Sequence, residues 1–423
     1  FQKRYPMRFR MVQSLIYSVT LQGMMLPVVA KTYYEIPVYA GLLNLIVVPG
    51  MTVVVAGSWF GLLVSIGTIS LGRFVMLPVG WMLQGYTWLC ERTLELPWNT
   101  LVTGEIRGWQ IGMWYGGIAC MLVLLRTKTR NKLRDFVYKH TGRFWRKREV
   151  VRYTVCTILI SMLLQGAGQA LCVWQQRTEA IYFLDVGQGD GILIRSPDGR
   201  NLVIDGGSTS QSKCGTYTLL PALRSQGMTE IDCWFVTHTD EDHISGLKEL
   251  LLQGKLTQIK VRTVVFSAYV FQDAALAELE AVIRAAGITI VWMREGDVIG
   301  DDTFTLTCLH PTAEYRAKDK NAASLALAYH SNTFNMLFTG DMDADAVADM
   351  DIQQDYDCIK LPHHGSKYSY VEGVYAHADY GLISCGYNNR YGHPHAEVLQ
   401  GLAQEGTKVL RTDEMGAVVF RGR

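Results

Sequence analysis

The sequence has nine cysteines but no CxxC pair. The cysteines are scattered along the chain: Cys90, Cys120, Cys156, Cys172, Cys214, Cys233, Cys308, Cys358 and Cys385. This spacing argues against a zinc ribbon and against a dense disulfide framework, and the odd number leaves at least one cysteine unpaired. Cysteines in apolar runs, such as Cys233, are expected to be small buried hydrophobic residues.

Acidic residues are scarce in the first 172 residues, which hold 19 Lys and Arg but only 6 Asp and Glu, a balance of +13. The remainder holds 21 and 33, a balance of −12, together with nine of the ten histidines. The chain of 423 residues is therefore long enough for two domains of different character. Because it begins at Phe1 rather than Met, we expect it to be a piece of a longer protein, so a secretory signal can be neither read nor excluded.

Charged residues are absent from long runs in the first part of the chain. A membrane-spanning helix needs ~20 mostly apolar residues to cross ~30 Å of hydrocarbon. The candidate runs are 11–30, 36–71, 74–89, 109–125 and 154–172. The longest could hold two short spans broken near Gly57–Gly61. One such run could be a buried helix of a soluble protein, but five or six predict a polytopic α-helical membrane domain over residues 1–175.

Basic residues mark the expected orientation. Residues 126–152 carry eleven Lys and Arg against two acids, and residues 1–10 carry four and none. The positive-inside rule places both segments on the cytoplasmic side. A span over 153–172 would then deliver residues 178–423 to the extracytoplasmic side of the cell membrane. The basic loop could instead be a nucleic-acid patch, but its place between two spans favours the topological interpretation.

From Ala180 onward, short apolar runs alternate with glycine turns and helical patterns. Runs such as IYFLDV, GILIRS and NLVIDGG predict strands, and helices are predicted at 217–227, 245–254 and 272–286. Two sheets packed face to face, with helices outside, suit this order of elements. We therefore expect residues 178–423 to form a separate α/β domain.

Four potential metal ligands fall within six residues: His238, Asp240, Asp242 and His243. They follow an apolar strand and precede a helix, so a loop between the two would let all four side chains converge. Imidazole and carboxylate groups are ligands of Zn²⁺ and Mn²⁺. The alternative is a solvated acidic loop, but more residues of the same types follow other strands: Asp205, Asp341, His363, His364 and His393. Together they would suffice for two metal ions that share a carboxylate.

In this order, the motifs HxDxDH, IDGG, TGD and HHGS resemble the metallo-β-lactamase superfamily. DVGQGDG, N-x-x-SL and YGHP resemble one branch of it, the hydrolase domain of the ComEC competence proteins, which are DNA-internalisation channels. LQGMMLPVVA and NLIVVPG resemble the last part of their polytopic competence domain. The resemblance implies an αββα metallo-β-lactamase fold for residues 178–423, and further spans with an OB-like domain upstream.

The resemblance also implies roles for the candidate ligands. One metal would be held by His238 and Asp240, the second by Asp242, His243 and His364, with Asp341 bridging the two. His363 would then be an outer or phosphate contact, although the order of the two adjacent histidines stays open and His364 is only favoured. Asp205 would either orient a ligand from behind or be an ordinary turn residue.

The sequence departs from the superfamily pattern at two positions. Asp240 stands where the general motif has His, and Asn321 or Ser324 lies near the place of a third-motif His. His310 is too far upstream to be a good substitute. Both changes replace nitrogen by oxygen, which suits Mn²⁺ or Mg²⁺. Of Mn²⁺ and Zn²⁺ we therefore favour Mn²⁺, in a first site that prefers this ion or is loosely occupied.

The implied reaction is hydrolysis of a phosphodiester, in which two metals activate water and clamp the reacting oxygens. Asp242 and Asp341 would orient the water. Contacts with phosphate, the leaving oxygen or substrate bases would come from His363, Lys367, His393, Asn321, Ser324 and Tyr391. Lys367 and His393 could equally be surface or supporting residues. Tyrosines around the HHGS and YGHP segments could stack on unpaired bases or form core and rim: Tyr368, Tyr370, Tyr387 and Tyr391.

The leading hypothesis is a DNA-uptake channel component whose outer nuclease domain degrades one strand while the membrane part passes the other. Its partners would be DNA, the membrane, other competence proteins and a second copy of the chain. A balance of −12 fits a DNA-binding domain poorly, because DNA affinity normally rests on Lys and Arg. Two alternatives stay open: a membrane-tethered phosphodiesterase for wall polymers or lipid head groups, and a transporter with a degenerate metal domain. Cleavage polarity, pore-lining residues and oligomeric state cannot be read from the sequence.

Overall fold

In the computed structural model the chain divides into two compact units, residues 1–174 and 175–423. The structure describes residues 21–125, 178–350, 352 and 354–422. The first half of the predicted apolar run 11–30, the whole of the run 154–172 and the basic segment 126–152 lie outside the described residues. Their expected spans and orientation stay predictions.

The described part of the first unit is mainly helical. Residues 21–33 are helical, and they are followed by β1 (Glu35–Pro37), α1 (Ala40–Gly67), α2 (Ile69–Leu94), β2 (Thr100–Val102) and α3 (Gly108–Leu125). The two short strands pair antiparallel. The predicted break near Gly57–Gly61 was wrong, because α1 continues to Gly67 and ends at the extended residue Thr68. These glycines instead let α1 and α2 pack closely: a Cβ atom added at Gly57 would lie 2.7 Å from the Val79 side chain, and one added at Gly61 would lie 2.6 Å from the Met76 side chain.

One helix among the described residues, α1, is long and apolar enough to cross a membrane. Its 28 residues would extend ~42 Å at ~1.5 Å per residue, more than the ~30 Å of a hydrocarbon layer. Large apolar side chains of this unit, including Leu42, Ile66 and Phe74, are exposed. The larger set of five or six spans stays a prediction.

The second unit contains two seven-stranded sheets. The first sheet consists of β3 (Ala180–Phe183), β4 (Gly191–Arg195), β5 (Asn201–Asp205), β6 (Glu230–Phe235), β7 (Lys260–Ser267), β8 (Thr289–Met293) and β16 (Val418–Arg421). Its order is β16-β3-β4-β5-β6-β7-β8. Strands β5 to β8 run parallel, and the other neighbours are antiparallel. Parallel pairing places the ends of β5 and β6 at the same edge.

The second sheet consists of β9 (Val298–Gly300), β10 (Phe304–His310), β11 (Ala326–Ser331), β12 (Asn335–Phe338), β13 (Tyr356–Lys360), β14 (Ala378–Ile383) and β15 (Lys408–Arg411). Its order is β15-β14-β13-β12-β11-β10-β9, with β12 to β15 parallel. The helices of this unit are α4 (Leu220–Ser225), α5 (Glu241–Gln253), α6 (Ala274–Ala285), α7 (Ala344–Asp349), α8 (Ala396–Glu405) and α9 (Thr412–Met415).

Alternation along the strands separates the layers. In β3, Ile181 and Phe183 lie in the core between the two sheets, whereas Tyr182 packs with residues of α5 and α6. On the far side of the second sheet, Val398 and Leu402 of α8 pack against β13 and β14. The order helix–sheet–sheet–helix follows, which is the predicted αββα arrangement.

The segment that carries the predicted ligands differs in one respect from the expected loop. Helix α5 begins at Glu241 with Asp240 as its extended N-cap residue, so Asp242 and His243 lie in its first turn. The backbone N–H groups of His243 and Ile244 donate to the Asp240 carbonyl, at 2.9 and 3.1 Å. Acidic residues in a first helical turn are favoured by the helix dipole. The acidic residues Glu241 and Asp242 therefore explain why the helix begins before residue 245, where the sequence predicted its start.

Gly207, directly after β5, allows the first turn of α5 to approach closely. A Cβ atom at Gly207 would lie 2.5 Å from the carbonyl carbon of Asp242 and 2.5 Å from the amide nitrogen of His243. Both of those atoms are backbone, so a side chain at residue 207 could be accommodated only by moving the ligand segment.

We expect the substitution Gly207→Ala to lower divalent-metal affinity by ~10-fold or more, because ligand geometry tolerates little displacement. Titration of Mn²⁺ into the full chain measures this. Gly227→Ala is the control for general loss of stability. An alanine there is strained, because φ is +66°, but its Cβ meets nothing within 4 Å and so moves no neighbouring segment. Equal metal affinity in the two variants would contradict the proposed role of the close approach.

Candidate metal centre

Ligand-type side chains of the second unit collect where strands of both sheets end. Asp205 is the last residue of β5, and His238 follows β6 by three residues. From the second sheet, Asp341 follows β12 and His364 lies in the short 3₁₀ turn after β13. The loop positions bring side chains from distant parts of the sequence to one place.

Asp341 lies at the centre of this cluster. Its Oδ2 atom is 3.3 Å from His243 Nε2 and 3.2 Å from His364 Nε2. His364 Nε2 is also 3.5 Å from Asp242 Oδ2. Ligand atoms lie within 4.8 Å of one another in the group Asp242, His243 and His364, and in the group His238, His243 and Asp341. The structure therefore brings together five of the six predicted ligands.

The chemistry of these atoms fits a divalent cation. The Nε2 atoms of His238, His243 and His364 are buried and have no hydrogen-bond partner, and the same holds for Asp341 Oδ1. Leaving a buried polar atom unsatisfied costs ~1–3 kcal/mol. A cation bound among imidazole and carboxylate groups would satisfy these atoms together.

Supporting hydrogen bonds fix the orientation of the histidines. Asp205 Oδ2 lies 2.8 Å from His243 Nδ1, and the same carboxylate accepts from the Thr237 N–H at 2.8 Å and its hydroxyl at 2.7 Å. His364 Nδ1 lies 2.8 Å from the Ser384 carbonyl oxygen. Such partners at Nδ1 direct Nε2 of each ring toward the centre. Asp205 thus has the geometry expected of a residue that orients a ligand.

The buried charges at the centre stabilise one another. Burial disfavours the charged form of His364, yet Asp341 and Asp242 raise its pKa to about 10. Burial likewise opposes charge on His243, but Asp341 and Asp205 raise its pKa well above the usual range. In return, His364, His243 and Lys360 outweigh burial and hold the pKa of Asp341 well below its usual range. A metal ion would replace protons on these histidines.

Asp240 is the predicted ligand that joins none of the ligand groups formed by the described residues. Its Oδ2 lies 3.5 Å from His238 Nε2, but its Oδ1 forms an ion pair with Lys320. Burial would raise the pKa of Asp240; the contacts with His238 and Lys320 outweigh it and lower the pKa to about 2. The carboxylate is therefore ionised and already paired.

The two adjacent histidines have different surroundings. His364 is buried beside Asp341, whereas the ring of His363 lies 6.2 Å from that of His364 and is partly buried. The ring of His393 lies 6.3 Å from that of His364 and 5.7 Å from that of Tyr391. Burial and the neighbouring histidines lower the pKa of His393 to about 4, so near pH 7 it is a neutral hydrogen-bonding group.

The remaining predicted contacts have mixed surroundings. Ser324 Oγ lies 3.4 Å from His238 Nδ1 and accepts from the Asp341 N–H at 3.2 Å, which places it behind the ligands. The Asn321 Oδ1 atom is buried without a hydrogen-bond partner. Lys367 is exposed at the surface, and its Nζ lies 3.4 Å from Glu397.

Three charged residues at the centre were missed from the sequence: Asp190, Lys320 and Lys360. The buried Lys360 ammonium donates to the Gly340 carbonyl at 2.9 Å, forms an ion pair with Asp190 and lies 3.5 Å from Asp341 Oδ1. Burial opposes its charge, but Asp190 and Asp341 raise its pKa above the usual value. A lysine inside the apolar run CIKL was the signal that could have identified it, since lysine is almost never fully buried unless paired.

Comparison with known families agrees with this architecture. Residues 1–128 match the family of competence proteins, and residues 184–313 match the metallo-β-lactamase superfamily. The fold predicted for the second unit is thereby confirmed. ComE operon protein 3 of Bacillus subtilis (strain 168) is 32% identical over 256 residues, which cover 56% of this chain and 32% of that protein. Competence protein ComA of Neisseria gonorrhoeae is 27% identical over 289 residues, covering 63% and 38%.

The chain thus spans about a third of the length of these relatives. Among solved structures, the metallo-β-lactamase fold protein YhfI from Bacillus subtilis is similar. The match covers 58% of this chain and 100% of YhfI, with 14% identity and a TM-score of 0.39. Zn²⁺-bound PqqB from Methylobacterium extorquens covers 57% and 99%, with 9% identity and a TM-score of 0.38. The predicted resemblance to ComEC-type proteins is confirmed by the two matched families and by the competence relatives.

We expect the substitution Lys360→Met to lower the free energy of unfolding by ~3–5 kcal/mol, because Asp190 and Asp341 would then be buried without their cation. Denaturant unfolding of the full chain measures this. The double variant Lys360→Met/Asp190→Asn should recover part of the loss, since one uncompensated charge is removed with the lysine. Additive losses in the double variant would show that the pair is not coupled.

Proposed function

We propose that this chain, in which a competence domain precedes a metallo-β-lactamase domain, is a membrane component of DNA uptake with a metal-dependent phosphodiesterase centre. The observation that carries the enzymatic part is the convergence of His243 and His364 on Asp341, with Asp242 beside His364 and with unpartnered buried nitrogen atoms. The competence relatives support the role in DNA uptake. The phosphodiester of one incoming strand is the proposed substrate.

The residues of the centre divide the work of this reaction. His238, Asp242, His243, Asp341 and His364 would hold divalent metal. When bound, the metal would neutralise phosphate charge and lower the pKa of water. Asp205 and the Ser384 carbonyl keep the rings of His243 and His364 in place. The neutral His393 is only partly buried, its ring lies 6.3 Å from that of His364, and it is suited to donate a hydrogen bond to a phosphate or leaving oxygen.

Aromatic rings next to the centre support an unpaired strand as substrate. The side chains of Tyr368 and Tyr387 are 73% and 86% exposed, and Tyr391 is 42% exposed. The ring of Tyr391 stacks on His393, and that of Tyr368 lies 6.3 Å from His395. Exposed aromatic rings near a phosphate-binding centre can stack on unpaired bases. Tyr370 differs, because it stacks on the buried Tyr375 and its hydroxyl pairs with Glu405.

The membrane setting of the proposal rests on the competence domain and on α1. The charge of the basic segment at 126–152 supports its cytoplasmic placement, which leaves the hydrolase unit on the extracytoplasmic side of a multi-pass protein. Delivery of DNA, passage of the other strand, contact with other competence proteins and pairing of two copies belong to the same proposal.

The acidic balance of −12 after residue 172 favours a second candidate, a membrane-tethered phosphodiesterase that acts on wall polymers or lipid head groups. An acidic surface repels a polyanion such as DNA much more strongly than it repels a single phosphodiester. Turnover of single-stranded DNA compared with that of bis-p-nitrophenyl phosphate, on the same preparation of the full chain, distinguishes the two. Preferential turnover of the small diester would favour this candidate over the nuclease.

The substitutions Asp242→Ala and His364→Ala should each reduce DNA cleavage by the full chain more than ~100-fold. Each removes a proposed ligand of the metal ion, and that ion would neutralise the charge of the phosphate during hydrolysis. Gel assays with labelled single-stranded DNA measure the rate. Lys367→Ala, directly after the HHGS segment, is the control; its ammonium pairs with Glu397 at the surface, and only a few-fold change is expected. Undiminished cutting in both ligand variants would end the assignment.

Metal-stripped protein should regain cleavage with Mn²⁺ more fully than with Zn²⁺, because the proposed ligands of the ion include the carboxylates of Asp242 and Asp341, and carboxylate oxygen suits Mn²⁺. Stripping with a chelator, followed by titration of each ion at fixed pH, measures the recovery. Recovery with Zn²⁺ alone would overturn the preference for Mn²⁺ while leaving the metal centre itself in place.

A further inference from the structure

We propose that the Lys320 ammonium occupies the place of the first metal ion, so that the centre binds one divalent ion rather than the two predicted from the sequence. This inference rests on the metal centre of the proposed function. It assigns that ion to the group around Asp242, His243 and His364, and it assigns to Lys320 the positive charge beside Asp240.

The two halves of the centre differ in completeness. On one side, ligand atoms of Asp242, His243 and His364 lie within 4.8 Å of one another, and Asp341 Oδ2 is 3.2–3.3 Å from both imidazoles. Four protein groups are enough for a tightly bound ion. On the other side, His238 shares its group only with His243 and Asp341, both of which already belong to the complete half.

The residues that would complete the first half are otherwise engaged. Asp240 Oδ1 is ion-paired with Lys320, so one oxygen of this carboxylate faces an ammonium. Ser324, near the place of the third-motif histidine, contacts His238 at Nδ1, which is the side of the ring opposite to Nε2. It therefore supports the imidazole from behind and is not directed at a metal.

Lys320 is held in this position by its backbone. It lies in a tight turn in which Asp319 Oδ1 accepts from the Ala322 N–H at 2.8 Å. The turn is tied to the ligand segment, because the Leu325 N–H donates to the Thr237 carbonyl at 2.9 Å. Lys320 Nζ also lies 3.9 Å from Asp273 Oδ2, so two carboxylates from different elements face it.

The charges at this side of the centre are consistent with one fixed cation. Asp240 and Asp273 together attract the ammonium, whose side chain is about one-third exposed at the rim. A divalent ion at Asp240 would have to displace Lys320 or accept a like charge in direct contact. A lysine in this position supplies positive charge next to the phosphate site without the need for a second metal ion.

Metal stoichiometry tests the proposal independently of activity. The full chain, purified in detergent and equilibrated with Mn²⁺, should contain about one ion per chain by elemental analysis. Lys320→Gln should raise this to about two, because Asp240 is released beside His238 and Asp341. Lys320→Arg, which keeps the charge, should stay near one. Lys318→Gln is the matched control, since Lys318 lies two residues away and pairs with Asp343 instead.

Electron paramagnetic resonance of the same samples adds a second readout, since two Mn²⁺ ions that share Asp341 would be spin-coupled. Coupled spectra should appear in Lys320→Gln and be absent from the unsubstituted chain. Two ions in the unsubstituted chain would overturn the inference and keep the metal centre. One ion in Lys320→Gln would show that Lys320 does not close the first site. No bound metal in any of these proteins would overturn the proposed centre itself.

Discussion

The structure of the second unit depends on buried negative charge at the edge where the two sheets meet. Asp190, Asp205 and Asp341 are each at most 3% exposed, and all three lie at or next to the ends of strands. A buried carboxylate is costly unless it is paired and hydrogen-bonded. Lys360, His243 and His364 supply the pairing, and their own charges are stabilised by the same carboxylates. Removing any one partner therefore leaves a charge without compensation in the interior.

This constraint explains why the ligand segment is positioned by backbone contacts. The first turn of α5 lies against Gly207, and the Asp190 N–H donates to the Asp242 carbonyl at 3.0 Å. Gly207 itself donates to the Asp190 carbonyl at 3.0 Å. Three loops thus fix one another through main-chain groups. With the backbone of His243 fixed in this way, Asp205 at Nδ1 orients the ring so that His243 Nε2 is directed at Asp341.

Local pattern was sufficient to predict the strands, but not the charge pairs. The alternation in residues 180–183 reveals which side chains face each layer, and HTDEDH after an apolar strand reveals the ligand segment. Lys360 and Asp190 are 170 residues apart, and nothing in either segment indicates that they meet. Lys320 was missed for the same reason, since its partner Asp240 lies in another loop. Glycine near residues 57–61 was misjudged because a packing glycine and a helix-ending glycine have the same local sequence signal.

The contrast between the charge of the unit and the charge of its centre has a consequence for substrate binding. A balance of −12 after residue 172 repels a polyanion at long range, whereas Lys320 supplies positive charge beside Asp240. Long-range attraction, which brings DNA to most nucleases, is therefore weak here. If DNA is the substrate, as proposed above, its binding would rely on short-range contacts, namely metal with phosphate and exposed tyrosines with bases. Such contacts act only on a strand that is already close, so they fit an enzyme to which a separate domain or channel delivers its substrate.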